Sequence, residues 1–85
     1  MTITGTIENI EYREKDGHEK KVVTLKVSNR ETGFIEFRGA CLDLLVRVKE
    51  KDLIAVDIEL KGSISKKTGI EYNNLVAYGL RRISV

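Results

Sequence analysis

The stretch from Gly33 to Gly62 limits the possible folds most, because its apolar rhythm changes twice. Ile35 and Phe37 alternate with Glu36 and Arg38, the period of two that belongs to a strand with one buried face, and Phe34 falls on the charged side. After Gly39 the rhythm becomes helical: Cys41, Leu44, Leu45 and Val48 recur on one side, with Asp43 and Arg47 set one turn apart as an i,i+4 ion pair. A short amphipathic helix is predicted. The charged run Lys49 to Asp52 turns the chain, after which Ile54, Val56, Ile58 and Leu60 alternate with Asp57, Glu59 and Lys61 as a half-buried strand.

The flanking segments read as strands that pair with this centre. From Thr2 to Arg13, Ile3, Gly5 and Ile7 share one face while Ile10 and Tyr12 continue on the opposite parity, so a bulge near Glu8–Asn9 is required to reconcile them. Asp16-Gly17 predicts a hairpin turn into a second strand, about Lys20 to Asn29. Val23, Leu25 and Val27 face inward there, and Thr24, Lys26, Ser28 and Arg30 outward. Thr32-Gly33 turns the chain into the third strand. After Ile64, the polar, basic segment Ser65 to Gly69 reads as a hairpin tip. The fifth strand, Ile70 to about Ile83, is apolar on both parities: Tyr72, Val76, Tyr78 and Leu80 on one, Leu75, Ala77 and Ile83 on the other. Its second cover is the helix, a bend that swaps faces, or a neighbouring subunit. Five strands, a bulged first strand and one short α-helix between strands three and four describe an all-β OB-fold, a partly open five-stranded barrel. An SH3-like barrel has no helix at that point, and parallel α/β crossovers do not fit the length.

Composition narrows the function. At 85 residues the chain is read as one domain, 1–85, with a thin core. It is 41% apolar and 33% charged with no proline, has no apolar run long enough to span a membrane, and begins MTITGTIENI without the zones of a signal peptide, which predicts a cytoplasmic protein. Cys41, the one cysteine, is a small core residue in this reading. His18 stands alone beside Gly17, no serine or cysteine lies in a nucleophile setting, and Asp57 and Glu59 neighbour Lys61 as ordinary strand charges. No catalysis, metal or cofactor is expected. Net charge is only +2, so distribution must carry any argument for a polyanionic partner. Basic residues gather at Lys20–Lys21, Lys66–Lys67 and Arg81–Arg82, with Lys26, Arg30 and Arg38 between.

In pattern, TGTI in the first strand, VVTLKVSNRETG in the second, FRG before the helix, IAVDIELKGSISKKTGIEY, and LVAYGLRRI at the end resemble the bacterial and phage single-stranded DNA-binding proteins and the primosomal replication protein B group, across nearly the whole chain. The resemblance implies nucleic-acid contacts on the second and third strands and on the tip between strands four and five, in replication, recombination or repair. The family's binding surface carries tryptophan and this chain has none, so stacking falls to phenylalanine, tyrosine or arginine. It also ends Arg82-Ile83-Ser84-Val85 without the family's acidic tail, which points to a compact accessory binder.

Single-strand binders need cations that follow phosphates and flat side chains on which bases stack. If Lys26 and Arg30 point outward, Phe34 sits among them and Arg38. The expected nucleic-acid-binding set is therefore Lys26, Arg30, Phe34, Arg38, Lys66, Lys67 and Tyr72, with Tyr12 a further stacking candidate. The expected partner is single-stranded nucleic acid, DNA rather than RNA, with no membrane. The competing expectation is a protein-interaction or assembly module in which Phe34 and the tyrosines are interface anchors. The double-sided fifth strand further predicts a homo-oligomer, a dimer joined near Tyr78.

Overall fold

A first strand long enough to serve two neighbours organises the molecule. In the computed structural model, which describes residues 1–83, β1 (Thr2–Lys15) pairs through Thr2–Thr6 with β4 (Leu53–Ile64) and through Thr6–Lys15 with β2 (His18–Lys26). Ser84 and Val85, which belong to the chain end compared above with that family's, lie outside the described residues. The register of β1 against β2 slips between Ile7 and Asn9, which places the bulge at Glu8 where the parity change required it. Ile7 stays opposite Leu25 while its backbone polar groups, on the other side of the strand, clamp the loop before β4: its N–H donates to the Asp52 carbonyl at 2.9 Å, and the Lys51 N–H donates to its carbonyl at 2.7 Å. Gly5, just before the bend, lets two strands touch. A Cβ at that position would lie 2.5 Å from the Lys26 carbonyl oxygen and 2.9 Å from Leu25 Cγ.

Asp16 and Gly17 both have positive φ, 53° and 78°, the pair of left-handed residues that a two-residue hairpin turn demands. From this turn β2 runs to Lys26 and pairs with β3 (Thr32–Arg38), Val23 opposite Ile35 and Thr24 opposite Phe34. β5 (Glu71–Arg82) pairs along its whole length with β4 and touches β3 through two residue pairs, Ile35 with Leu75 and Glu36 with Val76, in parallel. The strands thus follow one another in a closed ring, β1-β2-β3-β5-β4.

Inside lie Ile7, Val23, Leu25, Ile35, Phe37, Ile54, Val56 and Ile58. The segment Gly39–Arg47 packs Leu45 against this core, with Val48 beyond it and Cys41, Leu42 and Leu44 partly buried.

The expected fold class, a partly open OB-fold barrel with a short α-helix, is corrected in its helix type and in its closure. The segment between β3 and β4 is a 3-10 helix of nine residues, so three residues make a turn and Asp43 and Arg47 leave the common face that the i,i+4 reading gave them. The sheet is mixed, with β3 and β5 running in the same direction. The ring of strands is not left partly open but is completed at that seam by two residue pairs.

The double-sided appearance of β5 also resolves. Asp57 faces Gly79 but Ile58 faces Ala77, so Tyr78 is an extra residue and the strand changes parity there. Leu75 and Ala77 point inward before the bulge and Leu80 packs on the core after it, while Tyr78 and Ile83 are exposed. The bend is the cover, and the argument for a dimer at Tyr78 loses its premise. Val27, expected inward, lies beyond the end of β2 and is exposed.

The radius of gyration, 13.2 Å, exceeds the roughly 12 Å of a globule this size, because two hairpins project. One is the end of β1–β2. The other is the arm formed by β4 and β5 beyond Glu59. None of the described helices is long and apolar enough to cross a membrane.

Candidate nucleic-acid interface

The parity of β2 and β3 decides which of the expected residues meet. Val23, Leu25, Ile35 and Phe37 fill the interior, so Lys20, Val22, Thr24, Lys26, Phe34, Glu36 and Arg38 share the outer face. On that face Phe34 is opposite Thr24 and diagonal to Lys26, and it is 63% exposed. The same parity continues on β5 through Val76, beside Glu36, to Asn74 and Tyr72, and on β4 through Lys61 opposite Asn74. Lys26, Phe34, Arg38 and Tyr72 therefore lie on one side of the sheet.

Arg30 lies in the β2–β3 loop, where its N–H donates to Ser28 Oγ at 3.2 Å, and it is exposed. Lys66 and Lys67 occupy the β4–β5 turn. That turn is held by the Gly69 N–H on the Ser65 carbonyl at 2.8 Å and the Ser65 N–H on the Ile70 carbonyl at 2.9 Å, and both lysines are exposed. Tyr12 does not join the group. It pairs with Lys21 on the interior parity, beyond the end of the core, and its hydroxyl donates to Glu14 Oε2 at 3.3 Å.

Arg38 is less available than its place in the sequence suggests. Its Nη2 donates to Glu36 Oε1 at 2.8 Å, and Lys20 Nζ donates to the same oxygen at 2.7 Å. Glu36 is 6% exposed, so this is a sheltered carboxylate held by two partly exposed cations. Burial alone would raise its pKa, but the hydrogen bonds and charges of Lys20 and Arg38 outweigh that and hold the carboxyl below its ordinary value of 4.5. A depressed carboxylate contributes stability above its unfolded-state pKa, and that stability is lost as pH falls through the folded value. Urea unfolding midpoints should therefore drop below about pH 4.5 in the native protein and drop less in Glu36→Gln, which starts lower at neutral pH. Parallel pH profiles for the two would rule out this role.

Sequence reasoning passes over Lys20 and Lys61. Both are legible from the alternation that places Lys26 and Tyr72 outward, yet Lys20 reads only as part of a basic pair and Lys61 only as a strand charge. A cleft of about 1030 Å³ opens between the β1–β2 hairpin and the start of the 3-10 helix. Its wall carries Arg13, Lys15, Lys20 and Arg38 but also Glu14, Asp16 and Glu19, so it offers little net field to a phosphate. Of the expected cations, Lys26, Arg30, Lys66 and Lys67 are exposed and lie away from this cleft.

No family model matches the chain, and no curated protein matches it. The resemblance to the single-stranded DNA-binding and primosomal replication protein B groups is accordingly withdrawn: no family assignment supports it, and the helix type and the strand closure depart from the pattern it implied.

Proposed function

We propose that the protein binds single-stranded nucleic acid, DNA in the first instance, along the outer face of β2, β3 and the β4–β5 arm, as a cytoplasmic protein. The observation that carries this reading is Phe34: a phenylalanine on the outer face of β3, open to solvent, diagonal to Lys26 and on the same side as Tyr72. A base stacked on such a ring contributes about 1–3 kcal/mol without regard to sequence. Lys26, Arg30, Lys66 and Lys67 supply the phosphate contacts at the two ends of that surface. Arg38 is secondary, since a phosphate would have to compete with Glu36 for it.

Two kinds of variant separate stacking from charge. With a fluorescent oligonucleotide, Phe34→Ala should weaken binding by about tenfold or more while leaving the slope of log K against log salt unchanged. Lys66→Ala with Lys67→Ala should instead flatten that slope, by about 0.7 for each phosphate that is no longer neutralised. Absence of binding to DNA and RNA single strands at low salt would overturn the reading.

A further inference from the structure

The β4–β5 arm carries apolar residues that the monomer leaves uncovered. Leu60 and Ile64 lie on the interior parity of β4, in line with Ile58, but they extend past the core and are 60% and 66% exposed. The backbone beside them is uncovered too. On its side away from β5, β4 pairs with β1 only to Asp57, with two more bonds, from the Ile58 N–H to the Met1 carbonyl and from the Met1 amino group to the Ile58 carbonyl. Among the described residues, that edge has no backbone partner from Glu59 to Ile64. A two-stranded ribbon is marginal in water, and an unpaired edge with apolar residues on one face is a template for a further strand.

We infer that this edge pairs with the same edge of a second copy, antiparallel about Gly62, joining two arms into one four-stranded sheet. The segment is self-complementary in that register. Leu60 falls opposite Ile64 of the second copy and Ile64 opposite its Leu60, while Gly62 meets Gly62 on the two-fold axis. Glu59 of each copy reaches the end of the other arm, where Lys66 and Lys67 stand, so the charges attract as well. Gly62 itself is unexplained within one chain: its φ is ordinary, and a Cβ there would meet only Asn73 Oδ1, at 3.5 Å. On a two-fold axis a missing side chain leaves room for the two Leu60–Ile64 pairs to close across it. Because paired antiparallel strands keep their faces, Lys61 and Tyr72 of both copies remain on one side, available to a nucleic-acid strand.

The test is made without nucleic acid. Sedimentation at micromolar concentration should show a species of twice 9.6 kDa. Ile64→Lys should weaken association about tenfold or more, because the symmetry places a lysine against a leucine in two pairs. Adding Leu60→Glu to Ile64→Lys should restore it, since the new charges then face each other in both pairs. In a Cys41→Ser background, Gly62→Cys should form an intermolecular disulfide under mild oxidation and Lys66→Cys should not, because directly opposed strand residues lie within the Cα separation that a disulfide spans. A species of 9.6 kDa at every concentration, or a dimer indifferent to Ile64→Lys, overturns the inference.

Discussion

Gly5→Ala should lower the unfolding free energy by about 3 kcal/mol, the upper part of the range for over-packing, although it adds only a methyl group. The reason is what the methyl group meets. Its carbon would lie 2.5 Å from the Lys26 carbonyl oxygen and 2.9 Å from Leu25 Cγ, and the nearer neighbour is main chain, which cannot rotate away. β1 and β2 would have to separate at the point where β1 passes from one neighbour to the other. Gly33→Ala is the matched control, since its nearest neighbours are side-chain carbons at 3.8 and 3.9 Å and its φ is ordinary. That change should be neutral, or stabilise by about 0.4–1 kcal/mol through the unfolded chain. Urea midpoints at equal m-values measure both, and equal midpoints would show that the close approach at Gly5 is not a constraint.

Phe37→Ala should cost about 3–5 kcal/mol. Phe37 is the largest of the fully buried side chains and sits in the interior with Val23, Ile35 and Leu45. A domain of this length has total stability of about 4–13 kcal/mol, so the loss takes a large share and at the low end leaves an unfolded chain. Phe34→Ala, three residues earlier and on the other face, should leave the melting temperature nearly unchanged, as exposed substitutions generally do. Thermal melts by circular dichroism compare them directly. Similar losses in the two would mean that Phe34 is held by packing, and its place in the proposed binding surface would fail.

This contrast between Phe34 and Phe37 is readable from alternation alone, and so are the bulge at Glu8 and the turn at Asp16-Gly17. Each depends on neighbours in sequence. The 3-10 winding is not readable, because Cys41, Leu44, Leu45 and Val48 suit either helix and the choice is made by how the segment meets the sheet. Nor is the bulge at Tyr78. A strand with Leu75 and Ala77 on one parity and Leu80 on the other reads equally as two-sided or as kinked, and only pairing with β4 decides. At the candidate site the outward residues are legible, but the tie between Glu36 and Arg38 is not, because it needs Lys20 from the neighbouring strand to shelter the carboxylate.

The seam between β3 and β5 has a consequence for how the molecule opens. Four of the five junctions in the ring are ladders of five or more residue pairs, and this one has two. A fluctuation that parts Ile35 from Leu75 and Glu36 from Val76 leaves the β1–β2–β3 meander and the β4–β5 hairpin each intact, so the ring unzips at its shortest junction at little enthalpic cost. Glu36 stands at that junction. With Lys20 on β2 and Arg38 on β3 as its partners, it fastens the two strands that stay together, so the seam is the line along which the cylinder parts while β1 and β4 keep its halves joined.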